Sequence, residues 1–311
     1  MRLTRDRSAV TKPDASLAAL SARFEAARPQ LGAIAYRMLG SIDDAQDAVQ
    51  EAWLRLSRTA ESGGGDGIAN LDAWLTTVVA RICLNLLRDR RTHGGEELVG
   101  HQPDPVVEAE GEFDPEHRAM LADAVGLALF VVLDTLPPAE RLAFVLHDVF
   151  TVPFDQIAAI VDRTPESARK LASRARRRIE QAEPVPDGGL AAQREVVDAF
   201  FAAGRSGDFD RLVAVLHPDV ELRGDFGAAA AVFRARGAAS VAKLARGYAG
   251  PEREVRAAIV NGAAGAVIFI GGRAASVMGF VVRDGRIRAI DVLADPARIA
   301  RLDLRAVRAG H

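Results

Sequence analysis

A chain of 311 residues with 49% hydrophobic and 26% charged side chains has material for two or more packed cores and is too apolar for a disordered tail. Its single cysteine, Cys83, excludes an internal disulfide and a multi-cysteine metal site, which fits a reducing cytoplasm. The 40 Lys and Arg nearly balance the 42 Asp and Glu, but the two signs are segregated along the chain.

Met1–Arg7 carries charges with no apolar stretch behind it, and the longest apolar run, Val125–Leu133, is too short to cross a bilayer. The expectation is a cytoplasmic chain with no membrane partner. Residues 15–93 read as a first, helical unit. Ala45, Val49, Ala52, Trp53 and Leu56 recur at helical spacing, as do Trp74, Leu75, Val78, Val79, Ile82, Leu86 and Leu87. Beside the first stripe, one face of the 43–58 helix presents Asp43, Asp47, Gln50 and Glu51; the second helix carries Arg81, Arg88, Arg90 and Arg91. The spacing of Trp53 and Trp74 predicts core positions. Gly63–Gly65 lacks the Gly-Lys-Ser/Thr that a phosphate loop needs, so it reads as a mobile connector.

Residues 94–116 read as an acidic linker: 96–116 holds Glu96, Glu97, Asp104, Glu108, Glu110, Glu112, Asp114 and Glu116, three prolines and no Lys or Arg. The second helical unit spans 117–183. Asp155–Val161 predicts a short helix, Asp162-Arg163-Thr164 a break, and Thr164 a cap for a second helix with Pro165 at its first position. This is a helix-turn-helix pattern. Ala168, Leu171, Ala172, Ala175 and Ile179 form the inward stripe and leave Arg169, Lys170, Ser173, Arg174, Arg176 and Arg177 outside. Such a helix suits the major groove, where arginine forks onto guanine and other cations hold phosphates.

Pro184–Gly189 ends that helix, and 184–190 reads as a Pro/Gly linker. The third unit, 191–294, changes period: helices near 192–203 and 208–216 precede strand-like runs at Val220–Leu222, Val255–Val260, Ala266–Ile270, Val277–Val282 and Ile287–Val292. Asn261-Gly262 and Asp284-Gly285 predict hairpins, so the expectation is an antiparallel α+β domain. The tail, 295–311, carries Arg298, Arg301, Arg305 and Arg308, cations suited to the acidic 96–116 segment, and is expected to be dispensable for the third domain. His217, Glu221, Asp225 and Tyr248 are that domain's candidate proton-transfer groups. His217 precedes a proline and reads as a turn residue, while Glu221 and Arg223, two apart on a strand, read as a surface pair. The six histidines show no ligand spacing; neither metal nor cofactor is expected, nor an enzyme.

Leu136-Pro137-Pro138-Ala139-Glu140-Arg141, Phe144-Val145-Leu146, Ile157-Ala158 and Ser173-Arg174-Ala175-Arg176 resemble region 4 of the extracytoplasmic-function sigma factors. Tyr36-Arg37-Met38-Leu39-Gly40 and Asp43–Leu54 resemble sigma region 2. The resemblance implies two all-α modules, a region 2 helical bundle and a region 4 helix-turn-helix, bound to core RNA polymerase at the β′ clamp and the β flap. It implies that Asp43, Asp47, Gln50 and Glu51 face the clamp, and that the 62–70 loop with the 74–91 helix captures a flipped −10 base. Arg81, Arg88, Arg90 and Arg91 would then hold phosphates of promoter DNA. Asn85 stands where relatives often carry Asp, so their base preference is not carried over.

The third unit, through Phe200–Leu222 with Gly207-Asp208-Phe209-Asp210 and His217-Pro218-Asp219-Val220, resembles the SnoaL-like group of the NTF2-like cone fold. The whole is similar to the sigma subgroup with a fused SnoaL-like extension, the sigma-J type. Asp187-Gly188-Gly189 resembles that subgroup's glycine linker motif, and Asp295-Pro296-Ala297-Arg298-Ile299 its Asn-Pro-Asp-Lys-Leu tail motif with substitutions, which marks Asp187, Gly188, Gly189, Asp295, Pro296 and Arg298 as regulatory candidates. At 99–105, where the subgroup has Trp-Leu-Pro-Glu-Pro, only the prolines and one acid are kept. The implied function is a promoter-specificity subunit modulated in cis by intramolecular contact of the SnoaL-like domain with the sigma modules. The alternative is a one-component helix-turn-helix regulator with a ligand-binding domain, which has no use for the Asp43–Leu56 helix.

Overall fold

The computed structural model describes residues 12–62, 68–93, 103–110, 132–133, 135–182, 189–227, 233–248 and 250–309. Gly63–Gly65, Asp187, Gly188, most of the Val125–Leu133 run and the acidic positions 96–97 and 112–116 lie outside the described residues.

The first unit is three helices, α1 (Lys12–Leu39), α2 (Ile42–Glu61) and α3 (Leu71–His93). Gly40, at φ 71°, ends α1 with its N–H on the Tyr36 carbonyl at 2.8 Å, a left-handed turn that glycine adopts without strain. Ser41 then caps α2, its Oγ accepting from the Asp44 N–H at 3.2 Å. Ala45, Ala48, Val49, Ala52 and Leu56 are the buried stripe of α2. Trp53 and Trp74 pack on the same core, Trp53 5.0 Å from the Phe24 ring.

The second unit holds α4 (Pro138–Phe144), a π-helical turn (Val145–Val149) that continues it, α5 (Phe154–Val161) and α6 (Pro165–Ala182). Its core and that of α1–α3 are one continuous cluster, from Phe24 and Leu75 to Leu142 and Leu171. Polar groups stitch the seam. Arg141 Nε donates to the Arg37 carbonyl at 2.9 Å, Gln156 Nε2 to the Ala73 carbonyl at 3.0 Å and Arg81 Nη2 to the Ala159 carbonyl at 2.8 Å. Cys83 sits inside this core, where burial pushes its thiol pKa up to about 12 and leaves it unreactive as a nucleophile.

The third unit packs α7 (Leu190–Ser206), α8 (Phe209–Val215) and α9 (Ala238–Tyr248) on one face of a sheet built from β2 (Leu216–Asp225), β3 (Phe233–Arg236), β4 (Arg253–Val260), β5 (Ala263–Ile270), β6 (Arg273–Arg283) and β7 (Arg286–Leu293). Asn261 and Asp284 adopt φ 50° and 49° and the following glycines 77° and 67°, so both predicted hairpins are present. A third, at Gly271-Gly272, joins β5 to β6. The sheet is mixed rather than wholly antiparallel, because β2 runs parallel to β7. Strand β2 enters from helix α8 and meets β7 only after the rest of the sheet is laid down, a crossover that permits the parallel direction a hairpin forbids.

Two further expectations are corrected. The acidic 94–116 segment is more than a tether: Val107–Glu108 forms strand β1, paired with Val260 and Ile259 on the otherwise open edge of β4. Val106 and Val107 are buried, and Asn261 exchanges two hydrogen bonds with Val106, at 2.7 and 2.8 Å. The tail is also part of the domain. It forms α10 (Pro296–Ile299) and α11 (Arg305–Ala309), and Ile299, Leu304 and Val307 join Val107, Val260, Phe269 and Leu293 in a second core on the sheet's other face. A sheet with both faces apolar must be covered on both, and the tail is what covers this one.

Candidate nucleic-acid interface and intramolecular latch

Helix α5 ends at Asp162 in the left-handed conformation, φ 55°, and Thr164 caps α6 with Oγ1 accepting from the Ser167 N–H at 3.2 Å. Ala168, Leu171, Ala172, Ala175 and Ile179 are buried, while Arg169, Lys170, Ser173, Arg174, Arg176 and Arg177 are exposed. The six are not equivalent. Arg176 binds Asp148 of the π-turn, Nε at 3.0 Å, a hydrogen bond that raises the guanidinium's pKa. Arg174 pairs with the nearly buried Glu140 of α4 at 3.3 Å, and Arg178 with the same carboxylate at 3.7 Å. These three hold the helix on its support. Arg169, Ser173 and Arg177 follow one another every four residues along the outer stripe, with Lys170 beside them tied to Glu166 at 2.8 Å. Arg169 lies over the Phe154 ring, 5.5 Å from its centroid.

In the first unit Asp43, Asp47 and Gln50 are exposed on α2; Glu51 is half-buried, and its hydrogen bond from Arg55 at 2.8 Å lowers its pKa. Of the predicted phosphate-binding cations, Arg88 and Arg91 are exposed on the last turns of α3. Arg90 is turned inward onto Asp44 at 2.6 Å, and Arg81 is engaged at the seam with α5.

The third domain meets the helical units mainly at Asp104, one of the acids of the 96–116 segment. Asp104 sits in the α1–α2 corner: its N–H donates to the Gly40 carbonyl at 2.8 Å, its carbonyl accepts from the Tyr36 hydroxyl, and its Oδ2 accepts from the Ile42 N–H at 3.1 Å at the start of α2. Its Oδ1 accepts from Arg298 Nε at 2.8 Å and Nη2 at 2.6 Å. Arg298 Nη1 reaches Asp225 at the end of β2 at 2.7 Å. A buried guanidinium thus bridges two poorly exposed carboxylates, one on the 103–110 segment docked at the α1–α2 corner and one on the sheet. Asp295 caps α10 by accepting from the Ala297 N–H at 2.8 Å, and Pro296 occupies its first turn. Three residues beyond Arg298, Arg301 pairs with Asp43 at 2.8 Å, an exposed contact that raises the Arg301 pKa. Farther along the 103–110 segment, Glu110 pairs with Arg194 at 2.5 Å. Gly189 has an ordinary φ of −73° and open space where a Cβ would stand, so its backbone does not demand glycine.

Of the candidate proton-transfer groups, His217, Glu221 and Asp225 are occupied otherwise, and the Tyr248 side chain lies outside the described residues. His217 Nδ1 accepts from the Asp219 N–H at 3.1 Å and lies 2.9 Å from Arg288. Glu221 and Arg223 do not pair with each other: Glu221 faces Arg236 of β3 at 3.9 Å, and Arg223 binds the buried Asp291 of β7 at 2.7 Å. Burial pushes the Asp291 carboxyl up and Arg223 draws it back.

Residues 23–93 match the Sigma-70 region 2 family and residues 127–179 the Sigma-70 region 4 family. Over 306 residues the chain is 38% identical to the ECF RNA polymerase sigma factor SigJ of Mycobacterium tuberculosis, spanning 92% of this chain and 95% of that one. The chain belongs to the extracytoplasmic-function sigma factors. A probable factor of the same family and organism, SigI, is 34% identical over 90% of this chain and 94% of its own. The crystal structure of SigJ superposes with a TM-score of 0.70 at 35% identity, covering 91% of this chain and 99% of that one, so the helical sigma modules and the mixed-sheet domain recur there together.

Proposed function

We propose that this sigma factor engages core RNA polymerase through the exposed face of α2 and promoter DNA through the outer stripe of α6, and that its cone holds both modules in a closed state. It directs core enzyme to promoters. Asp43, Asp47, Gln50 and Glu51 supply the polymerase-facing surface on the β′ clamp, with the region 4 unit at the β flap, while Arg88 and Arg91 suit backbone phosphates near the −10 element. The observation that carries the regulatory part is the Asp104–Arg298–Asp225 bridge, because it ties the start of the docking helix to the cone. Arg301 on Asp43 adds a competitor for the polymerase surface. As an exposed pair screened by solvent it stabilises little alone. The cone reads as a regulatory module rather than an enzyme, since His217 and Asp225 are committed to structural partners.

Reversing Asp47 and Glu51 to Lys is expected to weaken association with core polymerase at least tenfold on native gels. The melting temperature should change little, as for other surface charges. Unchanged affinity would remove α2 from the interface. Within α6, Arg169→Ala and Arg177→Ala are each expected to lower holoenzyme binding to promoter DNA. A lost base-edge fork should cost about 1–3 kcal/mol and relax discrimination at one position, whereas a lost phosphate contact should reduce the salt slope by about one. Arg176→Ala should instead loosen α6 from Asp148, lowering the melting temperature with little change in that slope. Salt titrations on matched promoter variants separate the two groups.

A further inference from the structure

Between α7, α9 and the sheet lies a cavity of about 120 Å³ whose walls include Phe200, Phe201, Phe226, Ile268 and Met278. On the same measure one water needs about 10–15 Å³, so the space suits a ligand of roughly ten heavy atoms. Water gains little there, because an apolar lining offers few partners. The polar side chains of the lining are Arg205, Arg253 and Ser276; no carboxylate or imidazole belongs to it among the described residues. Arg205 is an exposed residue of the lining and makes no ion pair among the described residues. An apolar body and an anionic head would match this wall, since arginine forks onto carboxylate through two parallel hydrogen bonds.

The same wall carries the latch on its back. Gly224 and Phe226 line the cavity, and the intervening Asp225 receives Arg298 at 2.7 Å. The Asp225 carbonyl accepts from the Ala294 N–H at 2.7 Å, beside Val292, another lining residue, which pairs with Gly224 across β2 and β7. A Cβ on Gly224 would stand 2.8 Å from the Phe226 ring, so glycine is what lets that ring fold back over the strand. Phe226, whose ring is part of the cavity wall, is thus the direct chain neighbour of the carboxylate that Arg298 holds.

We infer that the cone binds a small amphipathic carboxylate whose entry shifts Asp225 and weakens its bridge through Arg298 to Asp104. This rests on the reading of that bridge as a brake. The probes are octanoate and 3-phenylpropanoate, with 1-octanol as the uncharged control, titrated into the full chain by calorimetry and added to in vitro transcription with core enzyme. At least one acid should bind saturably and more than tenfold tighter than 1-octanol. Arg205→Ala should remove most of that difference, Ala245→Leu should fill the space and abolish binding, and transcription should rise at least twofold in the wild type only. Unaltered circular dichroism checks that each variant folds. No saturable binding by either acid, or equal binding of 1-octanol, would overturn the ligand class; binding without a change in transcription would overturn the coupling. If Arg298→Ala raises transcription while neither acid binds, the brake stands and the ligand inference alone falls. If an acid binds but Arg298→Ala leaves transcription unchanged, the brake itself is wrong, and the coupling falls with it.

Discussion

Arg298→Ala is expected to release the cone from the sigma modules and to raise transcription by the full-length factor in assays with matched core enzyme. The guanidinium is buried between Asp104 and Asp225 and meets both at 2.6–2.8 Å. Removing one member of a buried ionic cluster leaves the others uncompensated, which typically costs about 3–5 kcal/mol. Asp104 keeps the Ile42 N–H and Asp225 the Gly227 N–H, at 3.1 and 3.0 Å, so the loss should fall at the lower end of that range. Relief is available by opening, because separated modules expose both carboxylates to water. The variant should therefore lose the closed arrangement before it loses either fold, seen as faster hydrogen exchange in the α1–α2 corner with β5 still protected. Arg298→Lys keeps the charge but lacks the planar fork that spans two carboxylates, so its output should lie between. Closed-state exchange and unchanged transcription in Arg298→Ala would refute the brake.

Ending the chain at Asp295 should have a larger effect of a different kind. Ile299, Leu304 and Val307 are each no more than 5% exposed, and they cover Val107, Val260, Phe269 and Leu293 on the sheet. Truncating one such aliphatic side chain to Ala costs about 2–5 kcal/mol for Leu or Ile and less for Val, and the whole tail removes three at once together with α10 and α11. A fall in melting temperature on the order of 10 °C or more is expected, with aggregation through the uncovered sheet face. Any rise in transcription by such a chain mixes release of the latch with damage to the domain, whereas Arg298→Ala isolates the first. Normal melting of the truncated chain would show that the tail is not part of the core.

The helix-turn-helix was legible because its determinants are local: the Asp162–Thr164 break, Pro165 at the first helical position and the apolar stripe from Ala168 to Ile179 all act within a few turns. The hairpins at Asn261-Gly262 and Asp284-Gly285 were legible for the same reason, since positive φ at two successive residues selects those pairs. Periodicity likewise separated the inward face of α2 from the face bearing Asp43, Asp47 and Gln50.

The partners of charged residues were not legible. Arg298 and Asp104 are 194 positions apart; the opposite charges of the tail and the 96–116 segment pointed to a meeting of the two, but not to which arginine takes which acid. The spacing of α6 predicted six outward residues alike, yet Glu140 and Asp148, carried on another helix and its π-turn, draw Arg174 and Arg176 away from the others. Strand β1 was hidden inside an acidic, proline-rich stretch because two valines make too short a run to signal a strand; the open edge of β4 makes Val107–Glu108 one. The direction of β2 against β7, and the need of the sheet's second face for Ile299, Leu304 and Val307, follow from the order in which strands are placed. Turn chemistry and side-chain period act over a few residues and are written in them; ion pairs, strand direction and which apolar face is left to cover are properties of the assembled chain.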